Sequence, residues 1–378
     1  MVWINKDIIF SLVVLLLCVV LWFIPSGFEE RQQDNTITAR GRVLETDNAN
    51  MEKHGFVVSG AQGLLVEIQS GEYKGQTFRT GNNFVGSMEF DHVFEPGDQC
   101  LVNISVSDGT VTRAFASDHY RVGIETVFVV LFCAFLLFYG GFYGFQAILS
   151  FVFTLLVLIK ILVPAMLRGI NPVLLSVAIS WLLSAAILFL VAGINKKGLV
   201  AFIGSSLGLL VTAVLAFIFA GPFHVTGAVR PFAQALLNTG LSGVSLSSLL
   251  LAGVVLSASG AVMDLSMDIS AALHELSASA KEIGAEPLSR KQLWKAGNNI
   301  GRSVIGTMTT TLLLAYSGSY LAFLMYCMRQ GYSMVNVLNM NYMAAEILHT
   351  IAGSFGLVLV APLTVATGAL MYGRKAYS

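Results

Sequence analysis

The run Leu249-Leu250-Leu251-Ala252-Gly253-Val254-Val255-Leu256-Ser257-Ala258-Ser259-Gly260-Ala261-Val262-Met263-Asp264-Leu265-Ser266-Met267-Asp268 is apolar enough to cross a bilayer, yet carries two aspartates one helical turn apart. A spanning helix needs about 20 apolar residues, and a carboxylate within one costs about 3 kcal/mol even on lenient insertion scales. Such a residue marks a partner charge, a wet cavity or a translocated ion. The run therefore points to a membrane helix and to the place where its chemistry should be sought.

Seven further windows of this kind lie at Ile8 to Ile24, Val122 to Tyr139, Phe145 to Val163, Val173 to Val191, Leu199 to Phe219, Ile305 to Cys327 and Ile347 to Met371. With Leu246 to Ile269 they predict a polytopic α-helical membrane protein of about eight spans. Composition agrees, since 55% of the 378 residues are hydrophobic and only 12% charged, about half the charge of a soluble domain. The 22 basic and 22 acidic residues form no basic stripe, so a nucleic-acid partner is not expected. The lipid bilayer is the expected surrounding.

The window Ile8 to Ile24 is followed by Pro25-Ser26-Gly27-Phe28-Glu29 rather than a small-x-small cleavage site, which predicts an uncleaved anchor. Cys18, Cys100, Cys133 and Cys327 are scattered singly, so neither a disulfide framework nor a thiolate metal site is expected. Assigning the connections alternately to the two sides gives a strong basic bias. Lys6, Lys196, Lys197, Lys281, Arg290, Lys291, Lys295, Arg302, Arg374 and Lys375 share one side, and the short loops of the other carry only Arg168, Arg230 and Arg329. Positive-inside then predicts cytoplasmic termini and an extracytoplasmic segment 29–121.

That segment reads as β. Runs at 36–44, 64–69, 77–80, 100–106 and 110–115 are short and β-branched, separated by turns such as Ser70-Gly71, Pro96-Gly97-Asp98 and Ser107-Asp108-Gly109. A small all-β barrel of OB or SH3-like type is expected, with Asp47 to Gly60 as a mobile loop. Its aromatics Phe56, Tyr73, Phe78, Phe84, Phe90 and Phe94 fit either a core or a ligand face. The predicted domains are residues 1–28 (membrane anchor), 29–121 (β barrel) and 122–378 (seven-helix transmembrane domain). Gly221 to Phe232, interrupted by Pro222 and Pro231, reads either as an outer loop or as a half-helix dipping back into the membrane.

At 100° per residue, Gly253, Ser257, Ala261, Asp264, Asp268, Ala271 and Glu275 share one face. Small residues at helical spacing permit close approach, so the carboxylates are expected to face protein or water. Two carboxylates at i and i+4 disfavour joint ionisation, which suits a proton or cation site. The alternative is structural, with Arg302 pairing Asp268. Glu346 and His349, at i and i+3, form a second cluster, readable as a proton relay or a cation site at the outer mouth, with Lys160 as the alternative salt-bridge partner of Glu346. A di-iron bundle would need two such helices, and there is one. Unbroken helices would separate the two clusters by on the order of 20 Å. Thr307, Thr310 and Thr311 line one side of the seventh window and could border a wet route or bond within the bundle.

Neither a P-loop, a G-x-S-x-G elbow, an H-E-x-x-H helix nor a dinucleotide glycine pattern occurs. An enzyme is therefore not expected, and no cofactor is implied.

The stretch Ala258 to Leu276, with Met263-Asp264-Leu265-Ser266-Met267-Asp268 at its centre, resembles the signature of the YibE/F family of bacterial multipass membrane proteins. So does Arg302-Ser303-Val304-Ile305-Gly306-Thr307-Met308-Thr309-Thr310-Thr311-Leu312. The resemblance covers about Arg121 to the C-terminus, and the outer β domain is similar to the longer, YibE-type member. It implies a heteromer with the shorter YibF-type paralogue, a homo-oligomer being the alternative, and it implies no substrate. The expectation from the residues is a transporter or exporter of an ion or small solute, coupled to a proton or cation. The alternative is a non-transporting scaffold or accessory subunit that docks partners through its outer β domain.

Overall fold

The computed structural model describes residues 6–27, 36–88, 90–107, 110–239, 245–284 and 286–374. The chain divides into two compact units, residues 27–138 and residues 1–26 with 139–378. The expected starts at Phe28 and Glu29, the turn residues Asp108 and Gly109, and Lys375 lie outside the described residues.

In the first unit, strands β1 (Thr36–Asp47), β3 (Val57–Ile68), β4 (Thr77–Val85), β5 (Gln99–Ser107) and β6 (Thr110–His119) close a ring in the order β1-β3-β4-β6-β5 and back to β1. All seams are antiparallel except β4 to β6. This five-stranded closed barrel with one parallel seam matches the OB alternative. Alternation explains it: Val43, Leu64, Val66, Ile68, Cys100, Val102 and Ile104 all point inward and are buried.

Asp47 to Gly60, expected as a loop, instead carries a hairpin. β2 (Met51–His54) pairs with the start of β3, turning at Gly55, whose φ of 68° only glycine adopts readily. The charged run Glu52-Lys53-His54 hid it because an edge strand open to solvent tolerates polar residues on both faces. The aromatics divide: Phe84 and Phe94 are buried, Tyr73 and Phe78 pack against the core, and Phe56 and Phe90 are exposed.

Cys100 sits at the centre of the barrel, fully buried. Burial, with the Asp98 carboxylate adding to it, pushes its thiol up to about 11. Only on the order of 0.1% would be thiolate at pH 8. Maleimide at that pH should leave the Cys100 peptide unlabelled in the native protein and label it fully in denaturant, as read by peptide mass mapping. Prompt native labelling would contradict a closed barrel.

Among the described residues six helices are long and apolar enough to cross a membrane, and Asp7–Phe23 is a shorter apolar one. All eight predicted windows fall in helices, with Ile24 one residue past the end of its helix, and the helices holding the sixth and seventh windows run well beyond them, to Glu282 and from Arg290. Two windows share one helical run, Val122–Leu167, of 46 residues. At 1.5 Å per residue this is about 70 Å, twice a bilayer core, and its first helix α2 (Val122–Val157) loses helical geometry at Gly141 (φ 51°, ψ −122°).

In the second unit, α1 (Lys6–Phe23) packs its Val14 and Cys18 with Leu149, Phe153 and Leu183, the last on α4 (Pro172–Ala192). The centre is built by α5 (Lys196–Ala220), α7 (Leu246–Glu282), α8 (Arg290–Arg329) and α10 (Asn341–Tyr372). Glycines set their spacing. A Cβ at Gly208 would stand 2.8 Å from Val360 Cβ, and one at Gly297 would stand 2.8 Å from Val365 Cγ2. Without a hydrophobic driving force between helices in lipid, such close contact is what holds a bundle together.

Candidate functional site

Glu346 and His349 lie one turn apart on α10, and both are buried, Glu346 being only 2% exposed. The partner of Glu346 is Arg230 rather than the expected Lys160: Arg230 Nη1 donates to Glu346 Oε1 at 2.8 Å. Arg230 Nη2 donates to His349 Nδ1 at 3.1 Å. A guanidinium has no acceptor, so Nδ1 accepts and the ring proton sits on Nε2. From there it is donated to Ser257 Oγ of α7, whose own hydroxyl reaches the Val254 carbonyl at 3.1 Å. Tyr316 of α8 stacks on the imidazole with ring centroids 4.4 Å apart. Ser319 Oγ stands 3.4 Å from Glu346 Oε2.

Arg230 arrives from the segment whose reading was open between loop and half-helix. The loop holds. The segment makes a 3-10 turn, Gly227–Val229, and then only the six-residue helix α6 (Ala233–Asn238). Gly227 fits beneath the start of α7, where a Cβ would strike the Leu246 carbonyl. This close seat presents Arg230 to α10. Sequence reading counted Arg230 only as an outer-loop charge. The available signal was a lone arginine in a proline-bounded apolar stretch, which calls for a buried partner.

The guanidinium occupies the position between Glu346 and His349 that a divalent cation would take. Among the described residues no group of three or more His, Cys, Asp or Glu side chains converges as a metal site.

Asp264 and Asp268 lie further along the same face of α7 as Ser257. Between Gly253 and Asp268 the exposed residues of this helix are Gly253, Ser257, Gly260, Asp264 and Asp268, none of them lipophilic. By contrast α5 exposes Leu207, Leu210, Val214 and Phe217. Among the described residues no ion pair joins Asp268 to Arg302; both are exposed. On α8, Thr307, Thr310 and Thr311 are also exposed, and each hydroxyl bonds a carbonyl of its own helix, at 2.9, 3.2 and 3.0 Å.

The His349 to Ser257 contact revises the separation of the two clusters. Ser257 and Asp264 are two turns apart, about 10 Å at 1.5 Å per residue, half the expected span. Arg230, Glu346 and His349 thus connect to Ser257, and Asp264 and Asp268 continue along the Ser257 face of α7.

Apolar helices of this length, with charged groups buried between them and a β barrel near the N-terminus, define a polytopic membrane protein. Residues 128–374 match the family described as YibE/F-like protein, and residues 37–117 match the YibE/F family N-terminal domain. The chain belongs to the YibE/F family. No curated protein and no solved structure matches it.

Proposed function

We propose that this chain is a bacterial inner-membrane transporter of an ion or small solute, coupled to protons. In this reading the membrane is crossed eight times, the termini are cytoplasmic and the barrel is extracytoplasmic. The single observation that carries it is the contact of His349 with Ser257, by which the half-buried Arg230 and the buried Glu346 and His349 reach the face of α7 that also carries Asp264 and Asp268. A structural ion pair needs no such connection. Glu346 and His349 exchange protons at the outer end, Asp264 and Asp268 at the inner end, and the small residues Gly260 and Ala261 leave room between them. Thr307, Thr310 and Thr311 flank the route, and no bond is made or broken in the solute.

A second reading, the non-transporting scaffold or accessory subunit, draws on one observation. Phe56, Val57, Val85, Met88 and Phe90 are all exposed around neighbouring segments of the barrel, an apolar patch of the kind that docks proteins.

Proteoliposomes holding a pH-sensitive dye part the readings. The parent protein should dissipate an imposed proton gradient, and Asp264→Asn, folded by size-exclusion profile, should do so at least about tenfold more slowly, since general acid-base groups contribute at least that much. A parent without flux, or a variant with undiminished flux, removes the transport assignment.

A further inference from the structure

We propose that a second copy of this chain covers the open face of α7 and α8, with Asp268 of each copy set against Arg302 of the other. The inference does not rest on transport.

Three observations point to it. The exposed stripe of α7 offers lipid no apolar side chain, only Gly253, Ser257, Gly260, Asp264 and Asp268, and a charge left in hydrocarbon is costly. The glycines of this face meet no neighbour among the described residues. A Cβ built on Gly253, Gly260 or Gly306 meets nothing within 4 Å, whereas one on Gly204, Gly208, Gly297 or Gly368 strikes a neighbouring helix. Glycines that no intrachain contact requires suit the close approach of another helix.

The charges then choose the occupant. Asp268 and Arg302 are exposed on the packed helices α7 and α8, which end and begin at Glu282 and Arg290. Each lies about 20 Å along its helix from that terminus, so they sit at the same depth. A two-fold axis along the bilayer normal keeps depth unchanged and makes a self-complementary interface. It brings each aspartate to the other copy's arginine.

The test uses the full chain in native membranes, with Cys18, Cys100, Cys133 and Cys327 changed to alanine. Gly260→Cys should oxidise with copper phenanthroline to a covalent dimer, and Phe217→Cys, on the apolar outward face of α5, should remain monomeric. Asp268→Arg alone or Arg302→Asp alone should lower Gly260→Cys cross-linking at least about tenfold, because like charges then meet. The double exchange Asp268→Arg with Arg302→Asp should restore it, which also shows that the exchanged chain folds. Cross-linking no greater at Gly260 than at Phe217, cross-linking only to a different protein, or a double exchange that stays monomeric would overturn the proposal.

Discussion

Arg230→Ala is expected to destabilise the membrane unit by about 3–5 kcal/mol, the usual cost of removing one partner of a buried ion pair. The loss arises less from the missing contact than from what it strands. Glu346 keeps Ser319 Oγ at 3.4 Å and the neutral His349 ring, whose Nδ1 stands 4.0 Å away, and His349 Nδ1 loses its donor. Glu346 is almost completely enclosed, so water cannot replace the guanidinium without opening the helices. The double variant Arg230→Met with Glu346→Met should recover much of the stability, because apolar residues in place of a buried pair leave nothing uncompensated. Thermal unfolding in detergent micelles reads both. The single variant should unfold at least about 5 °C below the parent, and the double variant should lie between them. A single variant that melts with the parent would show that Glu346 is not held by Arg230.

The second large effect falls on packing. Gly204 of α5 meets α10 so closely that an added Cβ would stand 2.8 Å from Thr364 Cβ and 3.0 Å from its Cα, with the hydroxyl nearer still. Backbone cannot yield as a side-chain tip does. Gly204→Leu should therefore force α5 away from α10, at a cost of about 3 kcal/mol or more, and most of the protein should aggregate in size-exclusion chromatography. Gly318→Leu on α8 serves as the control, because a Cβ there meets nothing within 4 Å. It should elute with the parent. Equal behaviour of the two variants would contradict the α5 to α10 contact.

What the sequence made legible, and what it did not, follows from the range of each interaction. The apolar windows were readable because the solvent alone dictates them. So were the barrel strands, whose alternation at Leu64, Val66 and Ile68 is local. The shared face of Ser257, Asp264 and Asp268 was also visible, since helical period fixes it. The hairpin at Met51 to His54 was lost because its stability comes from pairing with β3 and not from its own residues. Arg230 was missed for the same reason. Its partners Glu346 and His349 lie 116 and 119 residues away, and no local pattern connects them. The contact of Ser257 with His349, which joins two clusters that helical rise alone set on the order of 20 Å apart, required the packing of α7 against α10 to be known.

The central claim is that these clusters act as one route, and coupling between them tests it most directly. Proton flux in proteoliposomes should be compared for the parent, Asp264→Asn, His349→Gln and the double variant, each checked for folding. Residues that act as a unit are not additive. The prediction is that each single variant loses at least about tenfold in rate and that the double variant is no slower than the worse single one. Losses that multiply would mean two independent sites, and flux unchanged by either substitution would contradict the route altogether.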